Sequence, residues 1–169
     1  MNTSPPAQFS EIEEKLRAAW FFLSGEFRCF RFCEGMNLQD EKDVYRRIVL
    51  PISLHNVHHL AAIVLLIDRE DAEKLATSMF AISKTDLTDA DIADACVEAC
   101  NVLSGAIIGY LNAHDQVEIG IPKAIGSDGY QLLLNGSEIK ACSDGNSDNH
   151  HLMLVIFDPL VEPKYTESD

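Results

Sequence analysis

A long amphipathic pattern runs from Thr88 to His114, and it constrains the fold more than any other segment of the chain. At about 100° per residue, one side of this segment is apolar and the opposite side is acidic, amide or glycine. Thr88 followed by Asp91 has the form of a capping box, which predicts a helix that begins near Asp89. The predicted core stripe consists of Ile92, Cys96, Ala99, Leu103, Ala106, Ile107 and Tyr110. The predicted exposed side consists of Asp91, Asp94, Glu98, Asn101, Gly105, Gly109 and Asn112.

Two glycines on the exposed side of this helix carry information about function. A glycine inside a helix costs about 1 kcal/mol relative to alanine, and a solvated position offers no packing reason to accept that cost. Gly105 and Gly109 therefore indicate that another surface approaches this side closely. The alternative interpretation is an ordinary solvated helix face that happens to carry small residues.

The segment DACVEACNVLSG, Asp94 to Gly105, resembles the Asp-x-x-x-Glu-x-x-Asn motif of the CheC/CheX/FliY family of chemotaxis phosphatases. The resemblance implies that Glu98 and Asn101 act on a phosphorylated CheY-type response regulator. Asn101 would position the attacking water, and Glu98 would pair with the regulator's active-site lysine. Asp94, Gly105, Gly109 and Asp91 are the candidate partner-docking residues, although the two aspartates are also explained by negative charge at a helix N-terminus. The resemblance implies no cofactor of the protein's own, because the regulator supplies Mg²⁺.

One copy of the motif is present, and the resemblance covers most of the chain, from Phe9 to Leu160. CheC-type members usually carry two motif helices, whereas CheX-type members carry one and pair as dimers. The chain therefore resembles the CheX type, and the resemblance implies a homodimer. The competing interpretation is a non-catalytic module of the same fold that binds the response regulator or serves as a scaffold and releases its partner unchanged.

The composition excludes several other classes of function. With a net charge of −14 over 169 residues, nucleic acid and anionic membrane surfaces would repel the protein. No apolar run approaches the roughly 20 residues of a membrane span, and the N-terminus lacks the order of a signal peptide, so we expect a cytoplasmic protein. No nucleotide-binding loop, dinucleotide fingerprint or Gly-x-Ser-x-Gly motif occurs.

Five cysteines raise the question of a metal site. Cys29, Cys33, Cys96 and Cys100 have spacings compatible with a four-thiolate zinc site, which leaves a metal-dependent enzyme as a third hypothesis. Cys96 falls on the core stripe, however, where a free cysteine behaves as a small apolar residue. We therefore expect reduced core cysteines and no metal ligands.

The remaining periodicities predict an α+β fold with a largely antiparallel sheet of about six strands, the long motif-bearing helix and two further helices. One further helix is predicted over Phe9 to Leu23, and the other follows Asp68 as its N-cap. Pro51 predicts an edge or a bulge in its strand, and Asn135-Gly136 predicts a β-hairpin. The stretches 60–68 and 152–158 are apolar enough for central strands. We expect a single domain over residues 7–161 with flexible termini at 1–6 and 162–169.

Overall fold

The computed structural model of the chain describes residues 6–35, 43–55, 59–111, 116–147 and 150–158. The helices are α1 Ala7–Ser24, α2 Arg69–Phe80, α3 Asp89–Gly105, α4 Ile108–Leu111 and α5 Ser127–Gly136, and a short 3-10 turn spans Lys84–Asp86. The strands are β1 Arg31–Glu34, β2 Arg46–Leu54, β3 His59–Ile67, β4 Val117–Ile119, β5 Lys123–Ala124, β6 Ile139–Asp144 and β7 Leu152–Phe157. The expected flexible ends lie outside the described residues, except for Pro6, whose carbonyl accepts a hydrogen bond from the Phe9 N–H at 2.9 Å.

The strands form one sheet in the order β1-β6-β7-β3-β2-β4, and β5 also pairs with β2. Every recorded pairing is antiparallel. The apolar stretches at 60–68 and 152–158 are adjacent strands in the middle of the sheet, because β3 pairs with β7 from Ala62↔Phe157 to Ile67↔Leu152. The predicted α+β class with a largely antiparallel sheet is confirmed, although the sheet has seven strands.

The sheet is covered by helices on both faces. One face packs against α1, α2 and α3 in a large core that includes Trp20, Leu65, Leu75 and Leu103. The other face packs against α5 in a smaller core around Tyr130 and Phe157. Strands β3 and β7 contribute side chains to both cores, which explains why, after His59 at the start of β3, their sequences are apolar throughout. The result is three layers, with the motif-bearing α3 in an outer one.

Pro51 lies in β2, where the neighbouring edge of the sheet is interrupted. Its partner strands on that side are the short β4, which pairs with 52–54, and β5, which pairs with 48–49. The Pro51 carbonyl accepts from the Gly120 N–H at 2.8 Å between them. The sequence predicts an edge or a bulge at Pro51, but β2 is an inner strand, and the position that cannot donate to a ladder faces the break between the two edge segments β4 and β5.

The predicted hairpin at Asn135-Gly136 is wrong. These two residues end α5, and the chain enters β6 after Ser137 and Glu138. A two-residue hairpin of this type needs positive φ at its central residues, whereas the positive φ angles of the described residues are at Gly25, Gly35 and Ala81. Tyr130 and Leu133 are spaced for a helix, and both are buried against the second face of the sheet. Burial of that face outweighs the local turn signal.

The single helix predicted from Thr88 to His114 is interrupted. The α3 helix ends at Gly105, a turn covers Ala106 and Ile107, and the four-residue α4 follows. The N–H groups of Ala106 and Ile107 bond to carbonyls three residues back, which tightens the backbone at this point. Asn112 and His114 lie outside the described residues.

Candidate functional site

The start of α3 is fixed by a capping box. The Thr88 hydroxyl accepts from the Asp91 N–H at 3.2 Å, and the Asp91 carboxylate accepts from the Thr88 N–H at 2.8 Å. The Thr88 hydroxyl also donates to the same carboxylate at 2.6 Å. These bonds lower the pKa of Asp91, with the hydroxyl contributing more than the backbone N–H. The predicted helix start at Asp89 is confirmed, and the Asp91 carboxylate belongs to the helix cap.

The inner side of α3 anchors the helix to the sheet. Ile92, Cys96, Ala99 and Leu103 are at most 3% exposed, as the predicted core stripe requires. The Cys100 thiol donates to the Ile48 carbonyl of β2 at 3.7 Å, so the helix lies close to that strand. The orientation of the opposite side is therefore set by many buried contacts, and its side chains point away from the core.

Four residues form one exposed line along α3, which we call the exposed stripe: Asp94, Glu98, Asn101 and Gly105. Their spacings of four, three and four residues keep them on one side of the helix. Glu98 and Asn101 are one turn apart, about 4.5 Å along the helix axis. Within the described part of the chain, neither side chain has a hydrogen-bond or ion-pair partner, so both are available to another molecule.

The glycines of the exposed side have no structural neighbours within the described chain. A Cβ atom built on Gly105 or on Gly109 meets no atom within 4 Å, and neither residue has a positive φ. Alanine would therefore fit at both positions and would favour the helical backbone. Gly105 ends α3 and Gly109 lies in α4, so the turn at 106–107 separates them. The absence of an internal reason for these glycines is consistent with close approach of a second molecule.

The segment that contains α3 carries negative charges and no positive charge. Between Leu87 and Leu111 the sequence contains no lysine, arginine or histidine, whereas Asp89, Asp94 and Glu98 are exposed carboxylates on α3. The half-buried Val97 and Val102 lie on either side of the exposed stripe. Such a surface suits a partner with a cationic group at the centre of its binding site. Asn101 adds a neutral group that both donates and accepts hydrogen bonds.

The cysteines do not form the four-thiolate site considered from the sequence. Burial raises the pKa of Cys96 to about 12 and that of Cys100 to about 11, which keeps both thiols protonated. Cys29 is exposed, and Cys33 on β1 lies against Cys142 of β6, with 3.3 Å between the sulfur atoms. Among the described residues, no cluster of possible metal ligands includes a cysteine.

Comparison with known proteins identifies the family. Residues 53–143, more than half of the chain, match the family model described as chemotaxis phosphatase CheX. A search of curated proteins found no significant match. In the described residues, no helix has the length and apolar character needed to cross a bilayer.

Solved structures share the fold at low sequence identity. A chain of the CheX–CheY–BeF₃–Mg²⁺ complex from Borrelia burgdorferi matches with a TM-score of 0.62 and 16% identity, over 90% of this chain and 97% of that one. CheX from Desulfovibrio desulfuricans matches with a TM-score of 0.55 and 16% identity, over 92% and 100%. A CheC-like superfamily protein from Shewanella sp. PV-4 matches with a TM-score of 0.61 and 8% identity, over 90% and 99%. With the family-model match, this shared fold confirms the resemblance found in the sequence: the chain belongs to the CheX family and has the CheX/CheC-like fold.

Proposed function

We propose that this protein is a phosphatase that hydrolyses the aspartyl phosphate of a CheY-type response regulator. The observation that carries the proposal is the pair Glu98 and Asn101, which are exposed on the motif helix of a CheX-family chain and have no partner among the residues that the structure describes. The Borrelia burgdorferi structure of the same fold is a complex of CheX with CheY. The partner proposed here is therefore of the same class as the partner of that relative.

Asn101 positions the attacking water. An aspartyl phosphate is a reactive mixed anhydride, so its hydrolysis depends mainly on placing a water in line with the phosphorus. An amide donates one hydrogen bond and accepts another, and its neutrality avoids repulsion by the phosphoryl oxygens. Because the Asn101 side chain is exposed and has no partner in the described part of the chain, docking can order it without breaking a bond to those residues.

Glu98 aligns the partner. It lies one turn before Asn101 on a helix that carries exposed carboxylates and no cationic residue. A regulator's active-site lysine would find its counter-charge at Glu98, and a charge-assisted bond there fixes the register of docking. Asp94, Gly105 and Gly109 extend the contact surface on the two sides of this pair. Asp91 contributes through the helix cap, because its carboxylate is engaged by Thr88.

The protein needs no cofactor of its own for this reaction. The regulator supplies Mg²⁺, and the related complex from Borrelia burgdorferi contains Mg²⁺ together with CheY. The regulator holds the phosphoryl group. The exposed stripe supplies the amide that positions the water and the carboxylate that orients the regulator. We further propose a cytoplasmic homodimer, as the CheX-type resemblance implies, and light scattering after size-exclusion chromatography tests the dimer.

A non-catalytic regulator-binding module of the same fold is the second candidate. It would use the same exposed stripe for docking but would not need an amide placed beside the phosphoryl group. The combination of Glu98 with Asn101, rather than a carboxylate or a hydrophobic residue at position 101, favours the phosphatase.

The test is the decay of a phosphorylated CheY-type regulator in Mg²⁺, alone and with the protein. We expect wild type to accelerate the decay and Asn101→Ala to remove the acceleration. Asn135→Ala is the matched control, because Asn135 is an exposed amide at the end of α5, on the other face of the sheet. If neither wild type nor Asn101→Ala accelerates the decay of any regulator from the same organism, the result would favour the binding module. Equal loss of the acceleration in Asn101→Ala and Asn135→Ala would show that the loss does not arise from the exposed stripe.

A further inference from the structure

The start of α2 and the start of β7 meet at one end of the sheet. In the β3–β7 ladder, Ile67 is paired with Leu152, so the residues just beyond each strand are neighbours. The Asp68 N–H donates to the His151 carbonyl at 2.9 Å, and the Asp68 carboxylate accepts from the His151 N–H at 2.7 Å. The antiparallel pairing thus brings together side chains that are about 80 residues apart in sequence.

Three potential metal ligands converge at this point: Asp68, Asp71 and His150. One ligating atom from each lies within 4.8 Å of the other two. The Oδ2 atom of Asp68 is 3.4 Å from Nδ1 of His150, which is long for a hydrogen bond. Two ligands bound to one ion at about 2.1 Å with a tetrahedral angle are separated by about 3.4 Å. The spacing of this pair therefore matches two neighbouring ligands of a single metal ion.

Two buried polar atoms of the cluster lack partners. Asp71 is completely buried, and its Oδ2 atom accepts from Arg28 at 2.7 Å, but its Oδ1 atom has no hydrogen bond within the described chain. The Nδ1 atom of His150 is also buried and without a hydrogen bond there. Leaving such groups unsatisfied is costly, and most buried polar atoms in native proteins have a partner. A cation at the centre of the cluster would satisfy both atoms at once.

The other atoms of these side chains are held in place by neighbours. The Asp68 Oδ1 atom accepts from the Asp71 N–H at 2.8 Å, which makes Asp68 the N-cap of α2. Arg28 fixes Asp71 through the Oδ2 atom of its carboxylate. The Nε2 atom of His150 is 3.9 Å from a Glu70 oxygen, so a small side-chain movement would let Glu70 accept its N–H. Outer partners of this kind orient the ligands of protein metal sites.

The local charge also favours a cation. Asp68 and Asp71 supply two carboxylates, and Arg28 is paired with Asp71. Asp43 and Glu70 contribute further negative charge to the cleft above the cluster, with Arg69 as the cationic residue of its lining. A dication would offset the repulsion between the carboxylates.

We propose that Asp68, Asp71 and His150 bind a divalent transition-metal ion of the Zn²⁺ class, with water as the fourth ligand. Two carboxylate oxygens and one imidazole nitrogen are ligands that Zn²⁺ uses, whereas Mg²⁺ prefers oxygen ligands and retains its water. The ion would tie the start of α2 to the start of β7. The site shares no residue with the exposed stripe, so the metal proposal and the phosphatase proposal can fail independently.

The test is calorimetric titration of the chelator-treated full chain with ZnCl₂. We expect one ion per chain and an affinity at least about tenfold weaker for His150→Gln, which removes a ligand from a partly exposed position. His55→Gln is the matched control, because His55 is exposed and pairs with Glu118 at the other end of β2; it should bind as wild type does. Asp68→Asn is the second variant, since asparagine retains the helix cap while removing the anionic ligand.

The visible absorption of bound Co²⁺ reports the coordination geometry of the metal site. Wild type should give the visible absorption of a tetrahedral Co²⁺ site, and His150→Gln and Asp68→Asn should both lose it. Absence of one-to-one Zn²⁺ binding, or equal affinity in His150→Gln and wild type, would overturn the proposal. Displacement of Zn²⁺ by Mg²⁺ at similar concentrations would also overturn it, because an imidazole-containing site prefers Zn²⁺.

Discussion

Replacement of Gly105 by alanine separates the stability of the protein from its docking function. A Cβ atom at this position meets no described residue outside its own helix within 4 Å, and the backbone is helical, so the isolated protein accommodates the methyl group without strain. Alanine is favoured over glycine in helices by about 0.5–1 kcal/mol. Because Gly105 is the last residue of α3, we expect the lower part of that range. For a chain of this size, the melting temperature should rise by about 1–3 °C.

The same substitution should weaken binding of the regulator. A methyl group forced into a close interface costs about 1–3 kcal/mol. That cost corresponds to a loss of affinity of about five- to 150-fold. The assay is titration of a beryllofluoride-activated CheY-type regulator in Mg²⁺, followed by fluorescence, together with thermal unfolding of the free protein.

Gly129→Ala is the matched control for this experiment. Gly129 lies in α5, and a Cβ there meets its nearest atom, Cβ of Ile125, at an ordinary 3.6 Å. The control should gain similar stability and bind the regulator as wild type does. Unchanged affinity in Gly105→Ala would refute the inference that a partner approaches this glycine closely. A lower melting temperature would instead reveal an internal role for Gly105.

Three further predictions test the helix and its surface. Glu98→Ala should weaken regulator binding as well as turnover because it removes the proposed counter-charge for lysine, and unchanged affinity in the same titration would count against that pairing. Leu103→Ala should lower the free energy of unfolding by about 2–5 kcal/mol because Leu103 is completely buried, whereas a urea-measured loss well under 1 kcal/mol would contradict its place in the core. Asp91 has a pKa lowered below 3.8, so its stabilising effect is complete above pH 3.8 and is lost as the pH falls through the folded-state value. The stability difference between wild type and Asp91→Asn should therefore shrink on acidification, and a difference independent of pH would contradict the capping role.

The sequence predicts α3 well because the signals for this helix are local. Thr88 and Asp91 define the start, and the period of the buried residues defines the inner face, so the exposure of Glu98 and Asn101 follows from geometry. The break after Gly105 carries no comparable signal. It arises where consecutive N–H groups bond three residues back, and neither proline nor a positive φ marks the place.

Features that depend on contacts distant in sequence were predicted less well. The Asn-Gly pair at 135–136 has the composition of a hairpin, and α5 forms because the second face of the sheet must be buried. The sequence predicts Asp68 as a helix cap, which the structure confirms, but its position beside His150 depends on the pairing of β3 with β7. The sequence alone does not show that His150 lies beside Asp68.

The most direct test of the central claim is the maximal decay rate of the phosphorylated regulator when it is saturated with Asn101→Ala. Saturation removes affinity from the comparison, so the rate reports the positioning of water alone. We predict that Asn101→Ala still binds the regulator but lowers the maximal rate by about a hundredfold or more, toward the spontaneous rate. A maximal rate equal to that of wild type would contradict the role of Asn101.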